Sequence, residues 1–405
     1  MASIPLSARH LASAAYLAAA VFGAFWGVWG ASLPRIREQT GIDDAQLGLA
    51  LLFIGAGALP AMLFTGRALD RWGLRFAVVA IIALGLAGLG VALSAHGFVA
   101  LCLGLTVVGA TSGATDVAMN SVGGRAEKLS GQPILTRSGG VFSSFVVVSS
   151  IFTGVLSSMT PVSTSFFVVA VLAIVAGVRT AQALAVELPH SAVEAKDLQG
   201  SAHRELKYTP LLLIGVLGAI TFATENAHQS WGAIFLEEEL HSGSGFSALA
   251  PAVFAGVVAL TRFSIGALRP HHFRTVLTVG LMAATVGTVI VASATSVHIV
   301  IAGLTVAAAG TAPLYPTLLS VVSRNVDEVY RGRATALVTV VSYVGFLLGP
   351  VYFGFWAHAM GLRNAMLATA ALSGILIIAT PPLLRLSGFA HQRRTSGSAL
   401  LEGPQ

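Results

Sequence analysis

Charged residues are scarce in this sequence: Asp, Glu, Lys and Arg make up only 10% of its 405 residues, whereas hydrophobic residues make up 55%. Soluble domains carry about 25% charged residues, so this composition argues against a soluble globular protein. Cysteine is almost absent as well. The single Cys102 excludes an intramolecular disulfide and fits no metal-binding cysteine cluster. The composition therefore indicates a membrane protein, and we predict no metal site.

Apolar runs long enough to cross a bilayer as helices, about 20 residues each, recur along the chain. We therefore predict an all-α polytopic membrane protein with twelve transmembrane helices. The predicted spans are residues 11–31, 45–65, 76–95, 98–120, 137–158, 162–183, 209–232, 247–267, 275–294, 298–322, 334–356 and 363–384.

The basic residues give these spans a direction. Twelve spans place both termini on one side of the membrane, and 20 of the 23 Lys and Arg residues fall on that side. Only Arg35, Arg37 and Arg363 fall on the other side. By the positive-inside rule, both termini are cytoplasmic. This asymmetry accounts for the net charge of +6, so we predict no nucleic-acid partner.

A long polar segment, Glu187–Lys207, separates the first six spans from the last six. Two loops at matching places in the halves, Gly66–Arg75 and Gly266–Arg274, are weakly similar. Duplicated six-helix halves are a transporter architecture with the substrate site between them. The predicted domains are an N-terminal bundle at 1–183, a cytoplasmic linker at 184–207, a C-terminal bundle at 208–386 and a disordered cytoplasmic tail at 387–405.

Asp116 is the most informative polar residue of the fourth span, and we place it near the cytoplasmic end of that span. It lies one helical turn before Asn120 and one turn after Ser112, on the same helix face. A charge at mid-bilayer costs about 2.5–3.5 kcal/mol, so this face must meet protein or water. Because burial makes a carboxylate take up protons more readily, we predict that Asp116 couples transport to protons. A packing role is the alternative, and Asn120 is either a substrate ligand or a helix–helix hydrogen-bond donor.

The seventh span carries a polar stripe at helical spacing that includes Glu225, His228 and Gln229. We predict Glu225 as a second proton-coupling residue, and His228 and Gln229 as substrate-binding residues. Glu225 is only twelve residues from Glu237, so a solvated position at the outer rim is the alternative. For His228 the alternative is a polar wall of a cavity.

The loop Gly66–Arg75 resembles the signature loop of the major facilitator superfamily, Gly-x-Leu-x-Asp-Arg-x-Gly-Arg-Arg. Ala68 and Leu74 depart from that pattern. We interpret the loop as a gating motif in which a small residue allows close helix approach and the acid caps a helix N-terminus. The resemblance places that N-terminus at span eleven, after Arg331-Gly-Arg333; a simple topology-setting turn is the alternative. The matching residues are Gly66, Asp70, Arg71, Gly73 and Arg75.

The resemblance extends over essentially the whole chain. Within the superfamily, the sequence is similar to the YbjJ-type branch and, more distantly, to fucose–proton symporters. The resemblance implies two pseudo-symmetric six-helix bundles in a bacterial cytoplasmic (inner) membrane. It also implies a cavity lined by spans one, four, seven and ten, with Glu225 across from Asp116. The segments that carry the resemblance are Trp29–Arg37, Asp116–Asn120, Pro133–Leu135, Glu225 with Trp231, and Tyr343–Pro350.

Aromatic residues supply further candidates for substrate binding. Trp26 either stacks on a sugar ring or cation or lies in the outer aromatic belt, and for Trp29 we predict the belt. Tyr315 stands between two prolines and marks a broken helix that can expose carbonyl groups to a cavity. Tyr343 is also a candidate, with gating or packing as the alternative.

The interior charge indicates the class of substrate. The spans contain Asp116 and Glu225 but no basic residue far from a span end, with Arg35 and Arg262 near the ends. An anion would meet two acids without a counter-charge. We therefore predict a proton-coupled secondary transporter that moves a neutral or cationic small molecule, with a sugar-like solute favoured, by alternating access. Its partners are this substrate and the lipid bilayer.

Two other functions stay open. The first is a proton-antiport exporter of drugs or metabolites, although the Arg-x-x-Gln-Gly pattern of drug antiporters in span four is absent, as is their Gly-Pro pattern in span five. The second is a receptor or assembly protein that kept the carrier fold. We predict a monomer that is not an enzyme, since the sequence offers no phosphate loop and no nucleophile–base pair. We predict no cofactor, because the proton gradient supplies the energy for transport.

Overall fold

The computed structural model describes residues 6–132, 134–185, 208–265, 273–326 and 328–388. Most of the predicted linker, most of the tail and the loop 266–272 lie outside these residues; the linker's first two residues, 184 and 185, end α6. The first half contains α1 (Leu6–Thr40), α2 (Asp44–Trp72), a 3-10 turn (Gly73–Arg75), α3 (Phe76–Ser94), α4 (Phe98–Ser130), α5 (Ile134–Ser157) and α6 (Ser163–Ala185). The second half contains α7 (Tyr208–Ile234), a π-helical turn (Phe235–Glu239), α8 (Ser244–Ser247), α9 (Leu249–Ile265), α10 (Phe273–Ala292), α11 (Val297–Thr311), α12 (Leu314–Asn325), α13 (Glu328–Met360) and α14 (Leu362–Leu386).

The twelve predicted spans are confirmed: in the described ranges, twelve helical segments are long and apolar enough to cross a membrane. Helix α8 is a single turn, and α11 with α12 forms the tenth span, Val297–Val322. Ala312 and Pro313 interrupt that span where Pro313 and Pro316 weaken the helical hydrogen bonding, so the predicted broken helix is confirmed.

Two helices extend well beyond the predicted spans. Helix α1 continues through Pro34 to Thr40, so Arg35 and Arg37 lie on a helix rather than in a loop. Helix α4 continues to Ser130, fourteen residues after Asp116. Asp116 therefore lies well inside α4, whereas the predicted span ended at residue 120. The apolar run ends before the helix does, because the polar final turns still keep helical hydrogen bonds.

The two halves repeat the same packing pattern. Helices α2 and α4, α1 and α5, and α3 and α6 pair in the first half; α9 and α11, α7 and α13, and α10 and α14 pair correspondingly in the second. Small residues let these pairs approach. A Cβ on Gly109 would collide with the carbonyl oxygen of Ile54, and one on Gly113 would lie 2.7 Å from that of Ala58. Helix α4 therefore packs closely against α2.

The hydrophobic core shows which end of the cavity is closed. We call the side where α1 begins and α14 ends the terminal side, and the opposite side the outer side. Towards the outer side one core joins both halves, with Trp29 and Leu47 from the first and Trp231 and Phe353 from the second. Towards the terminal side each half has separate clusters. The halves therefore meet at the outer side and diverge towards the terminal side.

Candidate functional site

A cavity of about 330 Å³ lies between the two halves. Helices α1, α2, α4 and α5 line it from one half and α7, α9 and α13 from the other. Its wall is largely apolar, with a small group of polar side chains. These are Ser112, Asp116, Glu225, Asn226, Gln229 and Ser230.

Asp116 lies in the wall of this cavity and is half-buried. Asn120 Nδ2 donates a 3.1 Å hydrogen bond to Asp116 Oδ1, as the four-residue spacing allows. Within the described ranges no Lys, Arg or His side chain forms an ion pair with Asp116. The carboxylate therefore faces the cavity without a counter-charge from any described side chain.

Glu225 lies in the opposite wall, on α7, and is only 7% exposed. Arg262 Nη2 donates to Glu225 Oε1 at 3.3 Å and to Oε2 at 3.5 Å, and Gln229 Nε2 donates to Oε1 at 3.2 Å. The alternative of a solvated outer-rim residue is therefore wrong for Glu225. Unlike Asp116, this carboxylate has a basic partner.

Arg262 is the functional candidate that the sequence reasoning missed. Its position near the end of a predicted span suggested that it stays away from the interior, and this expectation is wrong. Glu225 lies fourteen residues before Glu239 and Arg262 thirteen after Leu249, so both lie at similar depths from the outer side. Counting from the outer ends of the two spans could have found the pair.

Arg262 also reaches the break in the tenth span. Its Nε donates a 3.2 Å hydrogen bond to the carbonyl oxygen of Ala312. This carbonyl lies beside Pro313, where the helix is interrupted and its own hydrogen bonding is incomplete. The guanidinium therefore connects α7, α9 and the break between α11 and α12. Its side chain is 43% exposed, on the side where the halves diverge.

The structure separates the other candidate residues into two groups. Trp26, Gln229 and Tyr343 line the cavity together with the two acids. Trp29 lines it too and is only 4% exposed, so its prediction as an aromatic-belt residue is wrong.

Three predicted substrate-binding residues lie outside the cavity wall. His228 is fully buried between helices, with Nε2 2.9 Å from Thr288 Oγ1 and its ring against Phe254. Tyr315 donates to Thr339 Oγ1 at 2.8 Å and packs behind Phe222, with ring centroids 4.3 Å apart.

Asn120 is the third, exposed one turn beyond Asp116. It contacts the site only through its hydrogen bond to that acid. The sequence predicted correctly on which helix each of the three residues lies. It did not predict in which direction each side chain points from the helix axis.

Ion pairs lie at the outer side of the cavity. Arg37 at the end of α1 pairs with Asp44 of its own half at 3.0 Å and with Glu238 of the other half. In the second half, Arg363 Nε contacts Glu239 Oε1 at 2.6 Å. We call Arg37, Asp44, Glu238, Glu239 and Arg363 the outer ion-pair group. Of the three basic residues predicted on this side, Arg35, Arg37 and Arg363, the last two belong to the outer ion-pair group.

The predicted gating motif lies at the terminal end of α2. Gly73 ends this helix at a positive φ of 67°, a conformation that favours glycine, and its N–H donates to the carbonyl of Leu69. A Cβ on Gly66 would meet nothing within 4 Å, so the predicted close helix approach at Gly66 is wrong in this conformation. Arg71 lies over the ring of Trp72, and Arg75 is exposed.

The capping role predicted for Asp70 lies outside what the structure describes, because the side chains of Asp70, Arg331 and Arg333 are not among the described ones. In the described part of the chain, no group of His, Cys, Asp or Glu is arranged to hold a metal ion.

Twelve membrane-spanning helices in two similar halves, with a polar site in a cavity between them, define a secondary transporter fold. The sequence matches the family model described as Major Facilitator Superfamily over residues 15–328 and again over 271–400. The chain belongs to the Major Facilitator Superfamily, whose members are membrane transporters rather than enzymes.

Two proteins with similar sequences illustrate the relationship. An uncharacterized MFS-type transporter of Yersinia pestis is 26% identical over 365 residues, covering 88% of this chain and 91% of that protein. The membrane protein MosC of Rhizobium meliloti is 26% identical over 369 residues, covering 88% and 86%.

Solved structures show the same fold. The nucleoside transporter NupG matches with a TM-score of 0.73 and 15% identity over 93% of this chain and 99% of that one. A bacterial homologue of the human lysosomal transporter Spinster, inward-facing and occupied, matches with a TM-score of 0.71 and 16% identity, covering 95% and 98%.

Proposed function

We propose that this protein is a proton-coupled secondary transporter of a neutral or cationic small molecule. The observation that carries the proposal is the pair of acids in one cavity: Asp116 in the first half and Glu225 in the second. A buried carboxylate is costly in a membrane and marks an ion or substrate pathway. Because the acids lie on different halves, movement of the halves changes the surroundings of both.

Alternating access by rocking of the two halves is the mechanism we propose. The joined core and the outer ion-pair group are consistent with a state closed towards the outer side. The separate cores of the terminal side leave the cavity open there. With the basic residues concentrated on the terminal side, we place that side in the bacterial cytoplasm and assign this conformation as inward-facing.

The direction of transport distinguishes the two forms of this proposal. In symport the solute and proton bind together, whereas in the antiport of an exporter they exclude each other. An unpaired carboxylate in the cavity, such as that of Asp116, can hold either a proton or a cation, which favours antiport for a cationic substrate. For a neutral sugar-like substrate no such competition exists, and symport is the expected form.

Purified protein in proteoliposomes with a pH-sensitive dye in the lumen tests the function. Sugars, polyols, amino acids and organic cations are added outside one at a time. We expect one class of solute to change the lumenal pH: acidification for symport and alkalinisation for antiport. Solute accumulation that persists after a proton ionophore collapses the gradient contradicts proton coupling. Absence of any solute movement across the whole panel contradicts transport and favours the receptor alternative.

The outer ion-pair group gives a second test of alternating access. Neutralising its link between the halves with Arg37→Gln or Glu238→Gln should open the outer side more often. Exposed ion pairs typically contribute about 0.2–1 kcal/mol, so we expect outer access to rise by a factor of about 1.4 to 5. A cysteine introduced at Ser112 in the cavity wall reports this access through its reaction rate with an impermeant thiol reagent added outside.

The protein that carries only Cys102, which is buried, measures background labelling. Glu127→Gln serves as the matched charge control, because Glu127 accepts a hydrogen bond from the Leu135 N–H far from the outer side. Labelling rates that are equal in the control and in both outer variants would show that this group does not close the cavity.

A further inference from the structure

We propose that the substrate is a small organic cation with a single positive charge, bound with its charged group at Asp116 and its apolar part against the aromatic wall of the cavity. This inference rests on the proposed transport function and narrows its substrate class. It follows from three features of the cavity: one uncompensated carboxylate, one compensated carboxylate, and a wall of aromatic rings.

The charge on Asp116 has no protein partner of opposite sign in the described part of the chain. Its one side-chain hydrogen bond comes from Asn120, a neutral amide on the same helix. An amide dipole satisfies part of a carboxylate but leaves its charge uncompensated in a cavity with a largely apolar wall, where an unpaired charge is costly. A cationic group supplies the missing charge and hydrogen bonds.

Glu225, the second acid of the cavity, does not need a further positive charge from the substrate. Glu225 is paired with Arg262 and also receives a hydrogen bond from Gln229. With two acids and one base among these groups, the site has a net charge of −1 when Asp116 is ionised. This balance selects one positive charge over two, and it disfavours an anion.

Aromatic rings from both halves surround the cavity. They belong to Phe22, Trp26, Phe142, Phe222, Tyr343 and Phe346. Several touch each other, with centroids 5.6 Å apart for Phe22 and Phe142 and 5.7 Å for Phe222 and Tyr343. Ring faces attract cations, so this wall adds to the attraction of Asp116. Because the rings come from both halves, a cation bound here contacts both halves at once.

A sugar would find fewer free hydrogen-bonding groups in the same cavity. Gln229 donates to Glu225, and Asn226 Oδ1 accepts a 2.9 Å hydrogen bond from the hydroxyl of Ser230. Each sugar hydroxyl that loses water needs a protein partner, and here several polar side chains are already bonded to one another. The cavity volume of about 330 Å³ is also small, which favours a compact molecule.

Three probes of nearly the same shape isolate the role of charge: 2-phenylethylamine as the cation, 2-phenylethanol as the neutral form and phenylacetate as the anion. Each is titrated at neutral pH into the full-length protein in detergent. Binding is followed by tryptophan fluorescence, because Trp26 and Trp29 line the cavity. We expect the amine to bind about tenfold more tightly than the alcohol, and phenylacetate to bind most weakly.

Two variants locate this preference. Asp116→Asn should bring the affinities of amine and alcohol within about twofold of each other, whereas Glu127→Gln, an acid-to-amide change on the same helix, should keep the wild-type ratio. Trp26→Leu should weaken the amine more than the alcohol, which tests the aromatic contribution even if the first variant does not fold.

Equal binding of amine and alcohol, tighter binding of phenylacetate, or no saturable binding of the amine overturns the cation assignment. These results leave the transport proposal standing, because the dye-loaded proteoliposomes measure solute-driven proton movement without any of these probes. Conversely, tight amine binding together with no proton movement supports the assigned site and contradicts proton-coupled transport. A preference for the amine that survives in Asp116→Asn also overturns the assignment, since the charge would then be recognised elsewhere.

Discussion

Asp116→Asn is expected to abolish proton-driven accumulation of substrate. For one proton exchanged per substrate, a gradient of one pH unit can support about a tenfold concentration ratio. In the variant this ratio should fall to about one, because an amide cannot take up and release a proton at neutral pH. The change preserves the size of the side chain and its position next to Asn120, so the fold should be kept.

The measurement is the steady-state ratio of substrate inside and outside proteoliposomes under an imposed pH gradient. Glu127→Gln is the matched control on the same helix and should accumulate substrate as the wild-type protein does. A wild-type ratio in Asp116→Asn would remove Asp116 from the coupling mechanism. In that event the same measurement on Glu225→Gln shows whether the acid of the second half carries the coupling instead.

Arg262→Gln is expected to destabilise the protein more than Glu225→Gln does. Removing the guanidinium leaves Glu225, 7% exposed, without its counter-charge, at a cost of about 1–3 kcal/mol. It also removes the donor to the Ala312 carbonyl at the break in the tenth span. Removing the acid instead leaves an arginine that is 43% exposed and can reach water, which costs less.

Thermal denaturation of the purified variants in one detergent measures this difference. The double variant Glu225→Gln with Arg262→Gln should recover most of the stability lost in Arg262→Gln, because it no longer contains a buried unpaired charge. Arg137→Gln provides a matched control, since Arg137 is exposed and, among described residues, bonds only the side chain of Gln132. If the double variant is as unstable as Arg262→Gln, the loss comes from the Ala312 contact rather than from Glu225.

The pair of Glu225 and Arg262 also changes the electrostatic argument for the substrate. Two interior acids without a base would give the cavity a strong negative charge. With Arg262 in contact with Glu225, Asp116 is the one acid of the cavity that has no basic partner among the described side chains. The exclusion of anions therefore rests on Asp116 alone, which makes that residue the decisive one for substrate charge.

The membrane architecture was accessible from composition and periodicity. Each apolar run must be long enough to cross the hydrocarbon layer, and backbone groups in lipid must be bonded within a helix, so run length alone predicts twelve spans. The break in the tenth span was also predicted, because Pro313 and Pro316 both lack the N–H that helical hydrogen bonding needs. This reasoning also found Asp116 and Glu225, because an acid inside an apolar span stands out in the sequence.

The sequence did not predict which neighbouring helix each side chain contacts. The sequence places His228 and Gln229 next to each other, yet Gln229 lines the cavity while His228 points between helices to Thr288. Tryptophan is a common residue type at membrane interfaces, but Trp29 is buried where the two halves pack against each other. Helical spacing shows which residues share a face, but not which neighbour that face meets.

By itself, the sequence determined the number of helices, the bias of basic residues towards one side and the two acids that no lipid-facing helix would tolerate. These properties depend on the chain and the bilayer, and they can be read one helix at a time. Only the tertiary structure decided that Arg262 neutralises Glu225, that Asp116 stays uncompensated, and that aromatic rings from both halves enclose it. These depend on the rotation and depth of helices from distant parts of the chain, which packing of the whole molecule sets.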